Sequence, residues 1–347
     1  MNKPKTKKYN IYKIKSGDTL LTIAEALGKE SSEVIRFHNV FAKQEELISY
    51  EFPAGLDFLY ITPLISEKHI DNVPKVNFLY DKKLAIKPFK TVLMYDVALA
   101  IHKGNRILNI DCKMTVAYLQ KVGDYTVFKI DRIPDPEQEW SSVMHEFLEE
   151  VTKSIYPLEL IVNDDGNWIG IQNFESIAKR WKSIKLDLLD YYEGYEIVKR
   201  LLYYDTLFKD ENRLTDLLQK DVFLKTYFNG LYANHTQMGY FEPEMDFPIL
   251  PDIKNVSYKV VQKIEEYVTD DTKIALEKKG AVNDARSLLD YDYNLDEASL
   301  VSEIPAGSYV AIYVLNSKNN TIENVNMQCA IELNETKEIK ITIAVVE

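Results

Sequence analysis

Ile11-Tyr12-Lys13-Ile14-Lys15-Ser16-Gly17-Asp18-Thr19-Leu20 is the stretch whose reading decides how the chain begins to fold. Apolar and charged residues alternate from Ile11 to Lys15, the period of a short strand. Ser16-Gly17-Asp18 turns the chain, and Asp18 or Thr19 can accept an orphan backbone N–H at a helix start. Leu20, Ile23, Ala24 and Leu27 then recur at helical spacing, with Gly28 where a left-handed C-cap belongs. Ser31 or Ser32 is placed to cap a second helix, in which Val34, Ile35 and His38 share a face and Asn39 closes. After a loop, Phe58-Leu59-Tyr60-Ile61-Thr62-Pro63 reads as a second strand stopped by proline. The predicted order is strand, helix, helix, strand.

Tyr12-x-Ile14-x-x-Gly17-Asp18-Thr19-Leu20-x-x-Ile23-Ala24, followed by Asn39, resembles a LysM domain, over residues 10–62. The second half departs from the family pattern, which usually has a short loop and then Gly-x-x-hydrophobic-x-Ile-Pro. Here Leu47-Ile48 runs into Ser49-Tyr50-Glu51-Phe52-Pro53-Ala54-Gly55, a longer loop, and Gly55 stands one residue too far from Ile61. The resemblance implies binding rather than catalysis. LysM domains typically hold N-acetylglucosamine-containing glycans in a shallow groove. On this chain, one wall of that groove would be Gly17, Asp18, Thr19 and Leu20, and the other Leu47, Ile48 and Ser49. Backbone groups and small polar side chains suit acetamido groups, and apolar residues suit sugar faces. LysM domains also occur in baseplate and spike components of phage tails and related contractile injection systems, where they dock to protein. The same residues would then form a partner-binding groove.

The 347 residues leave room for two or three domains and a full-sized core. A formal charge of −12 argues against a general nucleic-acid binder, which presents a basic face to phosphates. Lys3, Lys5, Lys7 and Lys8 make residues 1–9 a basic tail, and the acidic excess lies beyond the LysM-like stretch. This beginning has no apolar core, so no secretory signal is expected there, and no run approaches the length of a membrane span. The expected location is cytoplasmic as synthesised, with any export occurring as part of an assembly. Cys112 and Cys329 fall far apart in predicted strands, and neither a disulfide framework nor a zinc site can be built from them.

Residues 64–77, punctuated by Pro74, read as a linker, so residues 10–63 are expected to move semi-independently. Residues 78–255 read as an α+β body. Strands are expected at 92–101, 107–120 and 125–130, and Asp135-Pro136-Glu137-Gln138 marks a helix start. Asn163-Asp164-Asp165-Gly166-Asn167 signals a hairpin. Three amphipathic helices follow over about 173–232, the last carrying Leu214 through Leu231, and prolines then break regular structure over 239–252. Strands return from residue 256, with a short helix at 283–289, and residues 256–347 are expected to complete the same antiparallel sheet. The fold class predicted is α+β: an N-terminal βααβ module followed by a larger antiparallel-sheet body with a helical segment.

Candidate chemistry is sparse. His145-Glu146-x-x-Glu149 lacks the second histidine of a zinc protease motif, and a solvated helix face explains it better. Asp290-x-Asp292-x-Asn294 opens like a calcium loop but has Leu295 and Val301 where Gly and Glu are needed. No phosphate cradle or nucleophile elbow occurs, and the five histidines fall in separate segments. Tyr191, Tyr192, Tyr195, Tyr203 and Tyr204 read as core and rim, or, if exposed, as a partner interface. No catalytic residue, metal or cofactor is assigned. The reading is a non-enzymatic adaptor that docks its LysM module to a contractile-injection or phage-tail-like spike or baseplate while the body holds a second protein. The alternatives are a peptidoglycan or N-acetylglucosamine-polymer binder and a cell-wall hydrolase with an unrecognised catalytic body.

Overall fold

The computed structural model describes residues 9–15, 17–27, 29–43, 46–48, 51–61, 74–79, 82–133, 143–236, 239–251, 253–269 and 272–346. In chain order the elements begin with β1 (Asn10–Lys13), α1 (Leu20–Ala26), α2 (Ser31–Phe41) and β2 (Phe58–Ile61). Next come β3 (Leu93–Lys103), β4 (Arg106–Val122), β5 (Tyr125–Ile133), α3 (Val143–Ile155), β6 (Leu158–Asn163) and β7 (Trp168–Ile171). Helices α4 (Phe174–Tyr191), α5 (Tyr195–Leu207), α6 (Glu211–Leu218) and α7 (Val222–Tyr227) follow. The chain ends with β8 (Tyr240–Phe241), β9 (Glu244–Phe247), β10 (Val256–Ile264), β11 (Lys273–Val282), α8 (Leu288–Asp292), β12 (Gly307–Asn316), β13 (Ile322–Ile331) and β14 (Lys337–Val345). The class is mixed α+β with extensive antiparallel sheet. Most of the expected linker, residues 64–73, lies outside the described residues, as do the basic tail before Tyr9 and the expected helix start at Asp135 to Gln138.

The chain divides into two compact units. One is drawn from residues 1–84, 99–109 and 234–344, the other from 85–98, 110–233 and 345–347. In the first, β14, β13, β12, β11 and β10 pair in that order, and both β8 and β9 pair along the far side of β10. The period-two pattern explains the register. On β10, Tyr258, Val260, Gln262 and Ile264 are buried while Lys259, Val261 and Lys263 are exposed. On β14, Ile339, Ile341 and Ile343 are buried, as their alternation predicts. A slip by one residue would turn each of these sets to the wrong side.

The βααβ stretch belongs to this same unit. Its β1 and β2 form a separate two-stranded antiparallel sheet with Tyr12 opposite Leu59. Its core joins Ile23, Ala24, Val34, Ile35, Ile48 and Leu59 to Ile312 of β12. The unit thus rests on a body strand through Ile312.

The second unit pairs β4, β5, β6 and β7 antiparallel and carries α3 to α7. The Asn163-to-Asn167 hairpin forms as predicted. Asn163 Oδ1 accepts from the N–H groups of Asp165 (3.1 Å) and Asn167 (2.9 Å). Gly166 has φ +88°, and a Cβ there would stand 2.5 Å from the Tyr232 ring, so both backbone and space require glycine. Three boundaries differ from the sequence reading. The expected third helix is split into α6 and α7 because Asp221 turns its carboxylate to the N–H of Leu224 (2.8 Å) and starts a new helix. The proline-bearing segment still supports β8 and β9, lying along an edge where proline's missing N–H is tolerated. Helix α8 starts later than expected. Arg286 donates to Asp284 (2.7 Å) and to the carbonyls of Lys254 (3.1 Å) and Asn255 (3.0 Å), which leaves Ser287 as the cap.

Candidate functional site

The turn between β1 and α1 is built from the residues expected to form one wall of a groove. Gly17 is exposed at φ +91°, with nothing within 4 Å of a notional Cβ. Asp18 faces back into the turn, where its Oδ2 accepts from the Tyr12 hydroxyl (2.9 Å) and the Lys15 N–H (2.8 Å). That hydrogen bond raises the Tyr12 pKa, since ionising the phenol would place two anions together. Thr19, not Asp18, caps α1: its Oγ1 accepts from the Thr22 N–H (3.1 Å), and Thr22 Oγ1 accepts from the Thr19 N–H (2.9 Å). Leu20 packs half-buried against the βααβ core. Helix α2 is capped at Glu30 rather than at Ser31 or Ser32, and the Glu30 N–H donates to the Glu33 carboxylate (3.3 Å).

The other expected wall is held from beneath by α2. Asn39, only 3% exposed, donates Nδ2 to the Ile48 carbonyl (2.8 Å) and accepts the Ile48 N–H on Oδ1 (2.9 Å). His38 takes the Tyr60 N–H on Nδ1 (3.1 Å), so its proton sits on Nε2 and is donated to the Glu46 carbonyl (2.9 Å). Two neighbouring side chains thus fix both the 46–48 segment and β2. Leu47 and Ile48 are buried, and Ser49 lies outside the described residues. Of the predicted set, Gly17 and Thr19 are exposed; the side chains of Asp18 and Thr19 are committed to the turn and the cap.

Burial lowers the His38 pKa, outweighing the hydrogen bond to Glu46, which raises it. Protonation would also place an Nδ1 proton against the Tyr60 N–H. Because the folded pKa is depressed, the stability from His38 is full above its unfolded value of about 6.5. It is lost as pH falls from there through the folded value. Hydrogen exchange at the Tyr60 N–H should therefore accelerate on acidification, after correction for intrinsic rates. In His38→Gln that pH response should vanish; a response unchanged by the substitution would remove His38 as its source.

Two features of this unit escaped the sequence reading. Tyr9, Phe37, Phe41, Phe58 and Tyr60 form a half-buried aromatic group, with Tyr9–Tyr60 centroids at 4.6 Å, Tyr9–Phe41 at 5.1 Å and Phe58–Tyr60 at 5.2 Å. The four-residue spacing of Phe37 and Phe41 was the one signal available. The second feature is Arg36 on α2, 7% exposed. Its guanidinium lies 3.0 Å from Glu265 and 3.5 Å from Glu277, with Glu33 at 3.9 Å.

Elsewhere, Glu149 of the His145-Glu146-x-x-Glu149 stretch is paired with Arg132 (2.6 Å) rather than solvated. Asp290 is fully buried and accepts from the N–H and hydroxyl groups of Ser287 and Ser299 and from the N–H of Leu300. Burial alone would raise its pKa, and these bonds outweigh burial and hold the carboxyl well below the usual range. Asp292 accepts from Asn334 Nδ2 (2.9 Å), so this loop is a hydrogen-bonded corner. Burial pushes the Cys112 thiol up to about 11 and the Cys329 thiol up as well. Of the tyrosine cluster, Tyr192 is buried and Tyr204 half-buried, whereas Tyr191, Tyr195 and Tyr203 are exposed beside exposed Val198 and Leu202. Among the described residues, no group of three or more His, Cys, Asp or Glu is placed to hold a metal ion, and no helix is long and apolar enough to cross a membrane. No protein-family model matches the chain, and no curated protein matches it.

Proposed function

We propose that the chain is a non-enzymatic adaptor whose LysM-type βααβ unit docks to a protein assembly, such as a contractile-injection or phage-tail-like spike or baseplate, while the body holds a second protein. The observation that supports this reading most is the aromatic group around Tyr60. Half-buried aromatic rings are what protein interfaces use as anchors. The groove walls favour the same choice. The Asp18 carboxylate and the Thr19 hydroxyl are occupied within the turn, and Leu47 and Ile48 are buried, which leaves few side-chain groups for an acetamido sugar. For the body, Tyr191, Tyr195, Tyr203 and Leu202 supply exposed apolar surface in a chain whose charge is wrong for nucleic acid.

A photo-crosslinking residue placed at Phe58, and separately at Tyr195, in the full chain tests the reading. Distinct protein adducts at the two positions are expected. If neither position captures protein, while the purified chain sediments with peptidoglycan and Thr19→Arg abolishes that sedimentation, the unit binds glycan and the adaptor reading fails.

A further inference from the structure

We propose that the βααβ unit is a lid, resting on Ile312 of β12 and clasped by Arg36 to Glu277 of β11 and to Glu265, that lifts from those strands as one body. The inference does not depend on what the unit binds.

The unit is closed on itself. Its buried residues Ile23, Ala24, Val34, Ile35, Ile48 and Leu59 all lie between β1 and β2 in the chain, and Ile312 is the one member of that cluster from outside. Among the described residues, lifting would therefore cost this cluster Ile312 and leave the unit's own packing in place. Among the described residues no strand ladder joins it to the body either, since β1 and β2 pair with each other. After β2, the next described chain is anchored separately. Val268 N–H donates to the Pro74 carbonyl (2.8 Å), and Val76 N–H donates to the Glu266 carbonyl (2.9 Å).

Arg36 supplies the attachment. Among the described residues it is the basic group of α2 that reaches body carboxylates, Glu265 and Glu277. Glu277 lies directly opposite Ile312 in the β11–β12 register, so charge and apolar contact fall side by side on one sheet face. Asn326 of β13 is the next residue in that cross-strand row.

The sheet face that carries Ile312 is poorly satisfied. Glu277 Oε1, both side-chain polar atoms of Asn326 and Oε1 of Gln328 are buried without a hydrogen-bond partner. The unpartnered Glu277 oxygen opposes burial, and water meeting it on opening offsets part of the lost contact. A self-contained unit held by one apolar contact and one buried cationic clasp describes a closed state and a sparsely populated open one, with Arg36 holding the closed one.

The full chain carrying Ile312→Cys reports opening through maleimide labelling of the thiol at position 312, located by peptide mass spectrometry. Cys329 is an internal control, because it is fully buried on the opposite face of the same sheet and labels only if the sheet unfolds. Adding Arg36→Glu should raise labelling at position 312 on the order of a hundredfold, the effect of removing one partner from a buried charge cluster. Cys329 should stay unlabelled and the Ile48 N–H, held inside the unit by Asn39, should stay protected from exchange. The milder Glu265→Gln should raise labelling at position 312 in the same sense, and it decides alone if Arg36→Glu unfolds. The proposal is overturned if position 312 and Cys329 label together in Glu265→Gln, if labelling at 312 is insensitive to both charge changes, or if it rises only with loss of Ile48 protection.

Discussion

Asn39→Ala is expected to loosen the βααβ unit by about 2–4 kcal/mol, because it leaves the buried N–H and carbonyl of Ile48 without partners. The side chain is small and the cavity modest, so the unpaired backbone groups dominate. Amide exchange at Ile48 should accelerate by the corresponding factor, with Leu20 and Ile23 following because they pack on the same cluster. Asn39→Asp should be nearly as costly. It keeps an acceptor for the Ile48 N–H but sets a buried carboxylate against the Ile48 carbonyl. An Ile48 amide that stays fully protected in Asn39→Ala would show that the segment is held by its apolar side chains alone.

The second large effect is expected in the helical unit. Trp181 is 1% exposed, packs at a tilt against Phe208 with centroids at 4.9 Å, and donates Nε1 to Asp205 Oδ1 at 3.3 Å. Asp205 also accepts from Lys209 (2.7 Å) and Lys185 (2.9 Å), and these two bonds hold its carboxyl down to about 2. Trp181→Ala should therefore cost about 3–5 kcal/mol, the range for emptying a buried aromatic site. Trp181→Phe keeps a ring against Phe208 and loses only the hydrogen bond, so it should cost about 1 kcal/mol. Denaturant unfolding followed by far-UV circular dichroism separates the two variants. Equal losses would mean that the Asp205 bond, not the ring, fixes α4 to α5.

Local punctuation made much of this fold legible. The hairpin at Asn163 to Asn167, the cap at Thr19 and the alternation of Ile339, Ile341 and Ile343 all follow from residue types acting within a few positions. Asn39 was read as the close of a helix, and its backbone clamp was not, because its partner Ile48 lies beyond the helix in an irregular segment. Arg36 was invisible for a stronger reason: nothing near it in the chain indicates that Glu265 and Glu277 will stand beside it. The helix break before Asp221 was missed because Leu214, Leu218, Leu224 and Phe228 keep an apolar rhythm across it, and the competing side-chain cap outweighed that periodicity. Residues expected to offer side chains to a ligand, Asp18 and Thr19, serve the turn itself. Spacing alone cannot distinguish a polar group that faces outward from one that satisfies its own backbone.

The division of labour along β10 bears on how this protein behaves in concentrated solution. Strands β8 and β9 lie end to end on the same side of β10, with Glu242 and Pro243 between them. The pairing segments are only two and four residues long, and the break carries a residue with no N–H to give. A growing fibril needs a long, uninterrupted row of backbone donors and acceptors, and this margin presents only short ones beside a proline. Runaway stacking of copies is thereby discouraged at the place where an extended sheet would otherwise invite it.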